Sequence, residues 1–426
     1  MTKQQKATVG LLRKEGLAFG RSERKPACQL PVKNRKYLEI SPLTVIRIGI
    51  IIYTVGINGK ENAIMQCEKL LPRERFPSSG TGINAIGRPA GSKSKIFCKK
   101  RNTAICPPDT LSFTELPAET FYNTFCAGKA PLKKILILGK LGGKDFSFPM
   151  YAVIPKNRKN LPFFIHINFR PLVPDRFMPT EEIIDHGFAV FSFGYEDVTS
   201  DDCDFDNGLA GVIFGGRERT GSDCGKIPMW AWAASRVMDY CQTLDCLDFR
   251  KSAVVGHSRL GKTALFTGMM DERFMFAISN NSGFTGAALN RNRAWRESGE
   301  RLYSVNFCCE HHMQWFSPNY RKYIDREEEM PYDQHFLVAG SAPRYAYVAS
   351  AVEDIWSEPK SEYLACCAAG QVYEDLGMTG FVHPDRLPEP GDTLHEGCVG
   401  YHMRAGAHYS SREDWLRYME FILSKN

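Results

Sequence analysis

The sequence predicts a three-layer α/β fold over residues 111–426, with a mainly parallel central sheet covered on both faces by helices. Three observations carry this. Short β-rich runs alternate with helical patterns along that stretch. The run SAVVG (Ser252 to Gly256) is continuously apolar, as a strand buried on both faces must be. A chain of 426 residues with 43% hydrophobic and 12% aromatic letters can also bury a core of the size such a sheet needs.

Residues 1–110 read differently. They hold 21 Lys and Arg against 7 Asp and Glu, leaving 33 against 41 for the rest, so the net charge of +6 belongs to this N-terminal part. The stretch from Lys69 to Asp109 is rich in Pro, Gly, Ser and basic residues, which is linker composition. A basic extension of low order is expected over 1–110. It has no aromatic interleaving or zinc spacing, so no nucleic-acid partner is expected. Its one apolar run, Thr44 to Ile57, contains Arg47 and is shorter than the ~20 residues a membrane span requires. It reads as a strand or small buried helix. Met1 to Gly20 lacks an uninterrupted apolar core before a small-residue cleavage site, which predicts a cytoplasmic location. The 14 cysteines form no CxxC pair, so reduced thiols are expected rather than a disulfide framework.

The early strands are predicted at Lys133 to Gly139, Phe148 to Pro155, Pro162 to Phe169 and Phe188 to Tyr195. TEEIIDHG, between the last two, reads as a short helix with Thr180 as its cap and Gly187 at its end. Met229 to Leu244 is an amphipathic helix whose Trp230, Trp232 and Met238 face the core. SAVVG follows as the central strand, then strands at Phe276 to Asn280 and Tyr345 to Ser350, and a last helix from Glu413 to Leu423.

After SAVVG come the letters GHSRLGKT, Gly256 to Thr263, which fit two chemistries. As G-x-x-x-x-G-K-[ST] they match a phosphate loop, which needs a cradle of backbone amides and a Mg²⁺-holding Asp after a later apolar strand. Here the cradle positions are the bulky His257, Ser258, Arg259 and Leu260, and no later apolar run ends cleanly in Asp. As a serine on a strand-to-helix turn they match a nucleophile elbow, which asks for an acid after a later strand and then a histidine. Asp354, four residues after Ser350, and His408, just before the last helix, supply them in that order. The second glycine of the usual elbow is displaced, from Leu260 to Gly261.

The displaced form resembles the G-C-S-R-x-G-K elbow of the glucuronoyl esterases, carbohydrate esterase family 15. NNSG (Asn280 to Gly283), QWFS (Gln314 to Ser317), MPYDQH (Met330 to His335), APR (Ala342 to Arg344) and IWSEP (Ile355 to Pro359) are similar to further motifs of that family, in order. The resemblance covers about residues 112–426 and implies an α/β-hydrolase acting on carbohydrate esters of the plant cell wall, glucuronoyl or acetyl. It implies Ser258 as nucleophile, His408 as base, Arg259 at the oxyanion, and Lys262, Trp356 and Trp315 on the sugar side, where His312 stands near the position of a sugar-binding glutamate of the family. The family's acid position falls on Asn281, which carries no charge; Asp354 is the expected replacement, with Glu353 as the alternative. A serine, histidine and acid hydrolyse esters without metal or organic cofactor. Two other readings stay open, a nucleotide-binding protein and an inactive scaffold, the second because of Asn281. The oligomeric state is left open.

Overall fold

The computed structural model describes residues 105–117, 124–291 and 304–425. The expectations for the basic extension up to residue 104, including the apolar run Thr44 to Ile57, lie outside them. Among the described residues every cysteine is free, and no helix is long and apolar enough to cross a membrane.

The core is one ten-stranded sheet in the order β1-β2-β3-β5-β4-β6-β7-β8-β10-β9. Its strands are β1 (Thr110–Glu115), β2 (Leu132–Leu141), β3 (Lys144–Val153), β4 (Leu161–Asn168), β5 (Ala189–Gly194), β6 (Leu247–His257), β7 (Phe276–Asn280), β8 (Tyr345–Ala351), β9 (Thr393–Leu394) and β10 (Val399–Arg404). From β5 to β10 the neighbours run parallel, whereas β1, β2, β3 and β9 attach antiparallel at the two edges. Strand β1 pairs Thr110 with Lys140 and was not predicted, since TLSFTE follows the linker-like stretch directly.

Helices cover both faces. On one lie α3 (Lys226–Cys241), α4 (Arg259–Met270), α6 (His335–Ala339) and α7 (Pro359–Asp375); on the other α1 (Thr180–Asp185) and α8 (Arg412–Ser424). The shorter α2 (Gly208–Phe214) and α5 (Val305–His311) fill in connections. The side-chain period of two is visible in the strands. Val254 and Ala277 pack with α3 and α4, while their neighbours Ala253, Val255, Phe276 and Ile278 pack with α8. Trp230 and Met238 are fully buried in the first of these cores, and Trp232 nearly so.

Two local expectations need adjusting. Thr180 does not cap α1: its hydroxyl donates to Met178 O, and Pro179 takes the cap position. The helix expected at Met229 to Leu244 begins one turn earlier and ends at Cys241. Gly187 does close α1, at φ +81°, where its N–H donates to Ile184 O.

Candidate active site

Four adjacent parallel strands deliver four polar residues at their carboxyl ends, where ligand sites of α/β sheets form. Ser258 follows β6, Asn281 follows β7, Asp354 comes just after β8, and His408 comes just after β10.

Ser258 sits between β6 and α4 at φ 58°, ψ −127°, a conformation side chains rarely adopt. Its N–H donates to Asn280 O of β7 at 2.8 Å, and its carbonyl accepts from Gly261 and Lys262 N–H as the helix starts. The turn is so tight that a Cβ on Gly256 would lie 2.2 Å from Leu260 O. The displaced glycine has its own cause: a Cβ on Gly261 would come 2.9 Å from Ser279 Oγ of β7. Here the helix lies against the neighbouring strand, so glycine is needed one residue later than in the usual elbow. Arg259 opens α4, and its N–H, in the first turn, has no acceptor within the helix.

This geometry contradicts the phosphate-loop reading. His257 ends β6 while Arg259 and Leu260 are already in α4, which leaves Ser258 alone between strand and helix and no open loop to cradle a phosphate. Lys262 is buried and its Nζ donates to Ser282 O and to Phe284 O, the latter at 2.6 Å. Burial lowers its ammonium to about 8.

His408 Nδ1 lies 2.6 Å from Asp354 Oδ2, and the imidazole is about half exposed. With Nδ1 engaged, Nε2 is the nitrogen left to accept a proton. The ring packs 4.3 Å, centroid to centroid, from that of His257, the residue before Ser258. Asp354 Oδ2 also accepts from Ser357 Oγ at 2.5 Å and from Asn281 Nδ2 at 2.9 Å. Burial opposes ionisation of Asp354, but the bonds from His408, Ser357 and Asn281 prevail and hold its carboxyl below the usual carboxylate range. Glu353 is exposed and meets this region only through its N–H, which donates to Gly406 O. Two further histidines lie elsewhere: His402 between Tyr347 and Asp414, and His335 at the start of α6. His257 is buried, hydrogen-bonded to Asn280, and lowered to about 3 by burial and by His408.

Four of the remaining predicted residues form one wall. Arg259 pairs with Asp201 and lies 5.0 Å over the Trp315 ring. His312 stacks on Trp315 at 4.0 Å with the rings parallel, and burial, helped by Arg259, lowers it to about 4. Lys262 Nζ is 5.9 Å from the Trp315 centroid. Trp356 stands apart from this wall, about half exposed on the short turn Ile355–Ser357 that follows Asp354.

Sequence reasoning missed Asp201. It accepts from Arg259, from Trp315 Nε1 at 2.7 Å, from Gln314 Nε2 at 3.1 Å and from Tyr195 OH at 3.2 Å. Burial opposes its charge, yet Arg259, Trp315 and Gln314 outweigh burial and keep its carboxyl below the usual range. In the sequence it lies in DDCDFDN, which looks like a solvated acidic loop.

A mostly parallel sheet with a strained serine on the turn after its central strand places the chain among the α/β-hydrolases. The family described as "Glucuronyl esterase, fungi" matches residues 138–377, and the chain belongs to this glucuronoyl esterase family, carbohydrate esterase family 15. His408 lies beyond the matched stretch. The chain is 44% identical over 197 residues to a carbohydrate esterase from an unknown prokaryotic organism, covering 46% of this chain and 44% of that protein. It is 25% identical over 267 residues to the 4-O-methyl-glucuronoyl methylesterase of Podospora anserina, covering 59% and 53%. The chain thus spans about half the length of these curated relatives. Among solved structures, a glucuronoyl esterase from Solibacter usitatus aligns with a TM-score of 0.66 and 30% identity, covering 76% of this chain and 88% of that one. The glucuronoyl esterase catalytic domain from Hypocrea jecorina, 20% identical over 79% of this chain and 86% of that one, shares the fold with a TM-score of 0.56.

Proposed function

We propose that this chain is a serine carboxylic-ester hydrolase that cleaves glucuronoyl esters of plant cell-wall carbohydrate. The observation that carries the reading is the His408 to Asp354 hydrogen bond at 2.6 Å, with the His408 ring packed beside the strained elbow of Ser258. The names of the relatives support the substrate class.

In this reading Ser258 Oγ attacks the ester carbonyl carbon while His408 Nε2 takes its proton. The carbonyl π electrons move onto oxygen, where the Arg259 N–H and guanidinium stabilise the charge; one such donor is worth about 3 kcal/mol. The carbon–oxygen bond to the alcohol then breaks, and His408 returns the proton to the leaving alcohol. Water, deprotonated by His408, attacks the acyl-serine, releasing the uronic acid and restoring Ser258. Asp354 holds the imidazole orientation and balances its transient positive charge. Trp315, His312, Lys262 and Trp356 contact the sugar. The inactive-scaffold reading rested on Asn281; with Asp354 on His408, a carboxylate is present beside the histidine, and Asn281 donates to it.

The test is acid release from the methyl ester of 4-O-methyl-glucuronate beside acetylated xylan, under identical conditions. Faster turnover of the glucuronate ester is expected. Turnover of the acetyl ester alone would move the chain to the acetyl esterases, and turnover of neither would end the hydrolase reading.

A further inference from the structure

Between β7 and the short segment leading to residue 291, the turn Asn281 to Thr285 is buried and strained. Asn281 lies at φ 45°, Gly283 at φ 62° and Thr285 at φ 63°. For a β-branched residue such as Thr285 that region is an outlier, and such backbone persists only where its surroundings over-determine it.

The surroundings here are two buried charges on different helices. Lys262 of α4 donates to the carbonyls of Ser282 and Phe284. Glu362 of α7, fully buried, accepts from Gly283 N–H at 2.8 Å and from Ser282 Oγ at 3.3 Å through Oε1, and from Ser350 Oγ at 2.7 Å through Oε2. Each residue from Ser282 to Phe284 therefore has one backbone group bonded to Lys262 or Glu362. Burial pushes the Glu362 carboxyl up to about 7.

The near end of the same turn is Asn281. Its Nδ2 donates to Asp354 Oδ2, and its carbonyl lies 3.0 Å from Ser357 Oγ, whose single proton is shared between that carbonyl and the same Asp354 oxygen. Packing leaves no slack, because a Cβ on Gly283 would lie 2.9 Å from Ser357 Cα. A shift of the turn would thus move the two donors that orient Asp354 toward His408.

We infer that Glu362, acting with Lys262 through the turn Ser282 to Phe284, is a positioning residue that sets the Asn281 amide against Asp354 and thereby orients the Asp354–His408 pair. The inference rests on the reading of Ser258, His408 and Asp354 given above. Glu362 touches neither substrate nor reacting atoms; it works on the geometry of the acid.

The test compares wild type, Glu362→Gln, Asn281→Gly and the double variant. Glycine at 281 removes the amide without penalising the positive φ. Two quantities are read: kcat and KM on the glucuronate methyl ester, and the downfield proton resonance of His408 Nδ1–H, assigned by its loss in His408→Gln. Each single variant is expected to lower kcat about tenfold with KM changed by less than about twofold, and to shift the proton. The double variant is expected to be no slower than the slower single, because both act through one contact. An unshifted proton and unchanged kcat in folded Glu362→Gln would overturn the inference, as would losses that multiply fully in the double variant. If Glu362→Gln does not fold, an unshifted proton in Asn281→Gly overturns it equally. A wild type without esterase activity whose proton still shifts in both variants would end the hydrolase reading and leave this one standing.

Discussion

Among the described residues two histidine–aspartate pairs have their histidines six residues apart, and only one leaves its imidazole open to a further partner. His402 lies 2.8 Å from Asp414 through Nε2 and 2.9 Å from the Tyr347 hydroxyl through Nδ1, and it is 1% exposed. Both of its nitrogens are engaged. His408 lies 2.6 Å from Asp354 through Nδ1 alone, half open to solvent beside the serine elbow. The acids differ in the same way. Asp414 accepts from His402, from Arg404 Nε on both oxygens, and from Ser411 N–H and Oγ, completing the capping box of α8. Asp354 collects all its donors on Oδ2 and leaves buried Oδ1 without a partner. A His–Asp pair with every valence satisfied is architecture. One with a free imidazole nitrogen beside a strained serine can move a proton.

The sharpest way to break this contrast is to remove each acid. Asp354→Asn is expected to lower kcat by about 10⁴-fold, with the melting temperature nearly unchanged. Steady-state kinetics beside a thermal melt checks both halves. Asp414→Asn is expected to behave in reverse, costing about 3 kcal/mol or more of folding stability, because it leaves buried Arg404 without its counter-charge. Denaturant unfolding reads that loss. Activity per folded molecule should fall far less than in Asp354→Asn, although Arg404 also donates to the carbonyls of Ala405, Ala407 and Tyr409 around His408.

The structural pair should also show itself in pH. Burial opposes the charge of Asp414, but His402, Arg404 and the Ser411 N–H outweigh it and hold the carboxyl at about 2, against 3.8 unfolded. A depressed carboxyl contributes stability that is full above the unfolded value and lost as pH falls through the folded one. About 2 kcal/mol should therefore disappear between roughly pH 4 and 2 in wild type and not in Asp414→Asn. Unfolding free energies across that range decide it; an equal acid loss in both proteins would remove Asp414 as its source.

A smaller effect extends the comparison to a third carboxylate. Asp201 is less buried than Asp414 and pairs with Arg259 and Trp315, so Asp201→Asn should cost kcat about tenfold through a misplaced Arg259, with stability little changed. The smallest effect is expected at Glu353. Exposed and clear of His408, it should tolerate glutamine with less than about a twofold change in kcat, and a large loss there would reassign the acid.

These carboxylates also show what a sequence discloses. The elbow at Ser258 and the meeting of Asp354 with His408 were legible because an elbow, an acid after a later strand and a late histidine come in a fixed chain order. The buried strands from β4 to β8 were legible because apolar runs bounded by turns have few alternatives. Strand β10 was not: VGYHMR holds His402 and Arg404, whose burial depends on Asp414, ten and more residues away. Asp201 and Glu362 were hidden for the same reason. An acidic letter in a loop or on a helix reads as solvated, and only the fold reveals that Arg259 waits for the one and the Gly283 N–H for the other. The antiparallel edge strand β1 escaped because six residues beside a linker carry too little pattern.

The central claim is that Ser258 is activated by His408. Intact mass after treatment with a fluorophosphonate, followed by peptide mapping of the adduct, tests it most directly. One stoichiometric adduct on Ser258 in wild type, absent in His408→Gln, is the expected result. A folded wild-type protein that takes no adduct, or one labelled equally well without His408, would contradict it.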